Sequence, residues 1–154
     1  MAVEIRRLRP GDEEVVRRLS VEDAHFEQVG VEPRLRTPHT LESAREFLAV
    51  ETNYQLVAFA EDEPVGQLIA YELIRRHGDG RMMLVYEVGV RRDSRRQGVG
   101  RGLFDVLRSL CRERGIARAF LITNESNLDA MAFYRSLGAR RDHDDDVVLD
   151  FDCS

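Results

Sequence analysis

The chain has no lysine: all 23 of its basic residues are arginine. The Gly-Lys-Ser/Thr end of a Walker A phosphate loop is therefore excluded, and codon preference is a simpler source of the arginine than selection for phosphate binding. Cysteine is nearly absent too. Cys111 and Cys153 are too far apart in sequence to suggest a metal cluster or a disulfide framework, so the expectation is no metal, reduced thiols and a cytoplasmic location. No segment approaches the roughly 20 apolar residues of a membrane span. The opening stretch MAVEIRRLRPGDEE has no apolar signal region, so no membrane partner is expected. A broad basic face is lacking as well: the net charge is −5, which disfavours a nucleic-acid partner. Repeats, low-complexity segments and linkers are missing. With 154 residues, 43% of them hydrophobic, the chain is expected to be one domain, 1–154, with a substantial core.

What is present is organised around Tyr86 to Arg114. YEVGV reads as a strand, and GLFDVLRSLCRER as a helix with Leu103, Phe104, Val106, Leu107 and Leu110 at helical spacing. Between them lie Arg91, Arg92, Arg95, Arg96 and Arg101, with Gly98 and Gly100. A strand entering a glycine-containing loop and then a helix N-terminus is a shape for holding an anion, because backbone N–H groups and the helix dipole point at it. The alternative is an arginine-rich turn that only starts a helix.

The flanking elements follow in order. Val3–Leu8 alternates as a strand. Asp12 is placed to cap a helix running to about Phe26, with Val15, Val16 and Leu19 inward. Gly30–Pro38 reads as a loop, and Thr40 with Ser43 as the cap of a second helix. Gln55–Ala60 and Val65–Ile74 form a hairpin about the turn Glu61–Pro64. His77–Gly80 is a further turn, and Met82–Val90 the strand before the loop. Arg114–Gly115 ends the long helix. Ala117–Ile122 reads as a buried strand, Asn127–Leu137 as a helix ending at Gly138, and Val147–Phe151 as a last strand. The prediction is an α/β (α+β) fold with a mixed sheet flanked by helices.

Arg95-Arg96-Gln97-Gly98-Val99-Gly100 resembles the (Gln/Arg)-x-x-Gly-x-(Gly/Ala) signature of the GNAT superfamily of acyl-CoA-dependent N-acyltransferases. The helix Asn127–Gly138 resembles the family's later motif: Asn, a small residue three on, Tyr seven on and Gly eleven on. The family's frequent Phe after that Gly is Ala139 here. The resemblance implies a GNAT-like, mostly antiparallel sheet with about four helices, and acetyl-CoA as cosubstrate. Val88, Val90, Arg95, Arg96, Gln97, Gly98, Val99, Gly100 and Arg101 would hold it, with Asn127 and Ala130 along its pantetheine arm. Many relatives pair as dimers, so a homodimer is possible.

Amide formation needs a base for the ammonium, a donor for the oxyanion and an acid for the thiolate. Glu87 is the candidate base, the Val88 N–H the oxyanion donor, and Tyr134 the acid, since a phenol is neutral at pH 7. The alternatives are a solvated strand glutamate and a half-buried core tyrosine. Cys111 falls among core positions and reads as packing, not as a nucleophile. Asp142–Asp146, Asp150 and Asp152 make the tail acidic, which suits a cationic amine. Asp144–Asp146 alone reads better as a solvated loop, and Glu22, Asp23 and Glu27 better as a solvated helix face than as a pocket rim. The pattern Tyr86–Val90, Arg95–Gly98, Phe133–Gly138 and Val147–Asp152 is similar to GNAT-type aminoglycoside 3-N-acetyltransferases. That implies an aminoglycoside substrate bound by Glu87, Asp146, Asp150 and Asp152, and antibiotic resistance. A GNAT enzyme for another amine (a polyamine, a peptide N-terminus or an amino sugar) and a non-catalytic CoA-binding module remain as alternatives.

Overall fold

Four strands pair in chain order, β1 (Glu4–Arg7), β2 (Asn53–Ala60), β3 (Glu63–Ile74) and β4 (Arg81–Val90), the last three carrying β-branched and aromatic residues along their length. All three pairings are antiparallel, and β5 (Ala119–Leu121) joins the far edge parallel to β4. This computed structural model describes residues 2–22, 37–78 and 80–154. Asp23, Glu27, the stretch to Phe26, most of Gly30–Pro38, and Asp79 lie outside the described residues. The chain divides into two compact units, Met1–Ile122 and Thr123–Ser154.

In the first unit, rows of side chains alternate between the two sheet faces. Val57 belongs to one face and meets α1 (Glu13–Val21) and α2 (Leu41–Ala49) in a cluster with Leu8, Val16, Leu19 and Ala44. The neighbouring row Ile5–Ala58–Gly66 belongs to the other face. There α3 (Val99–Glu113) buries Val99, Leu103, Phe104, Leu107 and Cys111. Glycine permits the close approach: a Cβ on Gly66 would stand 2.7 Å from Val99 Cγ1, and one on Gly102 2.7 Å from Ile5 Cδ1. Cys111 is buried and its thiol is pushed up by that burial, as packing and not nucleophilic chemistry requires.

Capping chemistry explains several boundaries. Thr40 and Ser43 form a reciprocal capping box at α2, with each side chain bonded to the other's backbone N–H at 3.1 and 3.0 Å. Asp12 holds the N-cap position of α1, but its side chain makes no cap bond. It accepts instead from both Arg6 guanidinium nitrogens at 3.0 Å and from the Arg9 N–H at 2.8 Å, because a bidentate charged partner outcompetes one amide. α1 covers Glu13–Val21 with Glu22 as its C-cap, and the rest of the expected run to Phe26 lies outside the described residues. The β2–β3 turn is tighter than expected: Glu61 and Asp62, at φ 50° and 66°, form a two-residue link, and Glu63–Pro64 already belong to β3.

At the far end of α3, Glu72 on β3 ties three elements together. Its carboxylate accepts from Tyr54 Oη at 2.7 Å and from Arg114 at 2.9 Å, and pairs with Arg81 at 3.3 Å. Burial alone would raise this carboxyl, but the Arg114 and Tyr54 hydrogen bonds and the two arginine charges outweigh it and hold it below its usual value.

The second unit contains α4 (Leu128–Ser136) and an extended tail. Both α3 and α4 close in the same way. A left-handed glycine follows each, Gly115 at φ 69° and Gly138 at φ 87°. The next residue's N–H then reaches back to the helix: Ile116 to the Cys111 carbonyl at 2.8 Å, and Ala139 to that of Tyr134 at 3.0 Å.

The expected final strand does not form. Val147–Phe151 has no strand conformation, and Val147, Val148, Leu149 and Phe151 are 62–85% exposed. Its residue types favour a strand, but a strand also needs a neighbour for its N–H and C=O groups, and this segment has no ladder partner among the described residues. The expectation that Asp150 and Asp152 share one strand face falls with it.

Candidate active site

The site is built on a bulge. Along β4, Glu87 pairs with Ile69 and Val85 with Ala70, so Tyr86 is an extra residue on the β4 side. β5 pairs with β4 only at Met83, Leu84 and Val85. The bulge therefore sits where the two strands part. The phase of the ladder beyond it is set by the Arg91 N–H, which donates to the Val65 carbonyl at 2.9 Å. Antiparallel pairs alternate, so Gly89 and Glu87 turn their backbone groups to β3 while Val88 and Val90 turn theirs to the opposite edge. The Val90 carbonyl indeed accepts from Arg95 Nε there, at 3.0 Å. Val88 and Val90 thus present backbone donors at the edge that β5 leaves.

Glu87 occupies the sheet face of Ile69, Gln55 and Val57, and is half-buried. Two groups that the sequence did not point to lie on that face. Gln55 and Gln67, each 3% exposed, hydrogen-bond to one another at 2.9 Å, and Gln55 Oε1 is buried with no hydrogen-bond partner among the described residues. Four rings also run in series: His39–Phe47 at 6.0 Å, Phe47–Tyr71 at 6.3 Å and Tyr71–Tyr86 at 5.6 Å between centroids. They come from α2, its entry, β3 and β4. Only their convergence in space defines them, so no local motif signals them.

The loop after β4 begins with a 3-10 turn, Arg92–Ser94. Arg96 and Gly98 are both left-handed, at φ 58° and 83°. Gly98 is the N-cap of α3, and nothing lies within 4 Å of where its Cβ would be. The first helical bond runs from the Gly102 N–H to the Gly98 carbonyl at 2.9 Å, so the N–H groups of Val99, Gly100 and Arg101 precede the ladder. The first turn has no acidic residue and the N-cap no side-chain oxygen, so nothing of α3's own offsets the positive helix end. Arg95, Arg96, Gln97 and Gly98 are exposed around it, and Gln97 is held by a bond from its amide to the Asp93 carbonyl at 3.2 Å. These donors and this open approach fit a pyrophosphate.

On α4, Asn127, Ala130, Met131 and Tyr134 are the half-buried residues of one face, while Leu128, Asp129, Ala132 and Arg135 are exposed. Asn127 has a structural task as well: its side-chain oxygen accepts the Ala130 N–H at 3.2 Å and caps the helix. Burial raises the Tyr134 phenol above its usual value, so it holds its proton at neutral pH. Asp142–Asp146 is an exposed turn steadied by Arg141, which bonds to the Asp144 carbonyl at 3.4 Å. Asp146, Asp150 and Asp152 are exposed; Asp152 accepts the Ser154 N–H at 2.8 Å, and hydrogen bonds from the Ser154 side chain and then its backbone lower the Asp152 carboxyl.

In the first unit a strand parts at a bulge beside an anion loop without a capping side chain, and in the second a helix presents Asn127, Ala130 and Tyr134 on one face. The Acetyltransferase (GNAT) family model matches residues 16–139, and the chain belongs to that family. It is similar over 100% of its length to 99% of an aminoglycoside acetyltransferase from an uncultured soil metagenomic sample, with a TM-score of 0.81 and 25% identity. Another aminoglycoside acetyltransferase from such a sample, in complex with sisomicin, gives a TM-score of 0.81 at 22% identity, covering 99% of this chain and 96% of that one. AAC(6')-Iy in complex with the bisubstrate analog CoA-S-monomethyl-acetylneamine gives 0.77 at 16% identity, covering 99% and 100%. At such identities the likeness is one of fold. No curated protein sequence matches the chain.

Proposed function

We propose that this GNAT acetyltransferase moves an acetyl group from acetyl-CoA to an amine of an aminoglycoside, the 3-amino group, by direct transfer, and so confers resistance. The observation that carries the reading is Glu87, a carboxylate directly after the bulge where β4 and β5 part. Acetyl-CoA supplies the activated thioester. Arg95, Arg96, Gln97, Gly98, Val99, Gly100 and Arg101 would hold its pyrophosphate through backbone and guanidinium donors. Val88 and Val90 offer N–H groups along the open edge to its pantetheine arm, and the family resemblance alone assigns Asn127 and Ala130 to that arm.

Glu87 accepts a proton from the substrate ammonium, directly or through water. The Val88 N–H faces the charge that builds on the acyl oxygen. Tyr134, protonated at neutral pH, returns a proton to the departing sulfur. Asp146, Asp150 and Asp152 add negative charge that attracts a polycation. The alternative acceptors, a polyamine, a peptide N-terminus or another amino sugar, use the same Glu87 and Tyr134.

The test is the Glu87→Gln variant assayed by thiol release with gentamicin across pH. Its kcat/KM is expected to fall by about a hundredfold, and the rise of rate with pH to flatten. Product NMR should place the acetyl on the 3-amino nitrogen. A wild-type pH profile in Glu87→Gln would remove Glu87 as the base.

A further inference from the structure

We propose that Tyr86 and Tyr71, backed by Phe47 and His39, form an aromatic subsite beside Glu87 that takes the ring of a cationic amino sugar and directs its ammonium to the Glu87 carboxylate. This rests on the function proposed above and names the part of the acceptor site that reads the ring.

In a regular strand Tyr86 and Glu87 would point to opposite faces. A bulge sets its two residues against one partner and re-aims them. The Tyr86 ring accordingly packs edge-on against Tyr71, at 5.6 Å and 70° between planes. Tyr71 lies two residues along β3 from Ile69, the cross-strand partner of Glu87, and therefore on the Glu87 face. The Tyr71 phenol is raised first by burial and then by its neighbours Tyr86 and Glu87, as expected for three groups in one patch. Phe47 meets Tyr71 at 87° and holds it from behind.

Burial does not explain the front of this series. Tyr86 is 66% exposed, next in sequence to a half-buried carboxylate and at the mouth of the β4–β5 parting. An exposed ring held edge-on by a second ring offers its π surface to a ligand, and a cation over such a surface is favoured. An amino-sugar ring has both complements: an apolar C–H face for the ring and an ammonium for the carboxylate. A phosphate or acidic ligand would meet Glu87 unfavourably.

The experiment compares wild type, Tyr86→Ala and Tyr86→Phe in steady-state acetylation of gentamicin, with spermidine and glucosamine in parallel. Tyr86→Ala should raise KM for gentamicin about tenfold, and leave kcat and the acetyl-CoA KM within about twofold. Tyr86→Phe should stay near wild type, since the ring and not the hydroxyl does the work. A gentamicin KM unchanged in Tyr86→Ala overturns the subsite and leaves the function standing. If wild type acetylates glucosamine but not gentamicin, the aminoglycoside reading fails; a raised glucosamine KM in Tyr86→Ala then supports the subsite, and an unchanged one overturns it. Turnover of spermidine alone overturns both.

Discussion

The Tyr134 phenol carries its proton at neutral pH as any phenol does, and burial raises it further, which is compatible with the acid role proposed for it. Tyr134→Phe removes the proton and keeps the ring. Its kcat should fall by about a hundredfold, while CoA binding measured by calorimetry stays within about twofold; an unchanged kcat would remove Tyr134 from the mechanism. Glu87 could be picked from the sequence because a carboxylate in the strand before the anion loop matches a known pattern. Its neighbour Tyr86 could not, because the bulge depends on the register of β4 against Ile69 and Ala70, seventeen or so positions away in sequence. Asn127 was legible as part of a motif, and the structure adds that it caps α4.

At the scale of elements, glycines and caps did most of the signalling. Gly115 and Gly138 mark helix ends in the sequence and take left-handed φ in the structure, and Thr40 with Ser43 marks the start of α2. Where charge competed with a cap the sequence misled: Asp12 is engaged by Arg6 and does not cap α1. The Glu72 cluster was invisible, since Tyr54, Arg81 and Arg114 come from three separate elements. It makes a prediction for stability. The Glu72 carboxyl is lowered in the folded protein, so its contribution is fully present above the unfolded value of 4.5 and is lost as pH falls through the folded value. Glu72→Gln should lower unfolding free energy by about 1–3 kcal/mol at pH 7. The gap to wild type should narrow below about pH 4. Urea unfolding at both pH values checks it, and a gap constant with pH would contradict it.

For the whole molecule, the mostly antiparallel sheet was implied by the family resemblance, while the sequence of strands and helices and the β2–β3 hairpin were readable in advance from hydrophobic pattern and turn residues. The tail was not. Val147–Phe151 has strand-like residues, but whether a strand forms depends on a partner edge, which no local pattern encodes. The family assignment is carried by the match over residues 16–139 and by the loop and α4 motifs together. The amine is the step beyond the family. It rests on the Glu87 carboxylate at the strand parting, beside Tyr86. The most direct measurement is acetyl-CoA-dependent thiol release against gentamicin, kanamycin, apramycin, spermidine, glucosamine and a short peptide. The account predicts turnover of gentamicin with a kcat/KM at least about a hundredfold above that of spermidine or the peptide, a discrimination within reach of a site that pairs buried polar groups with its substrate. Turnover confined to spermidine or the peptide, with gentamicin untouched, would contradict it.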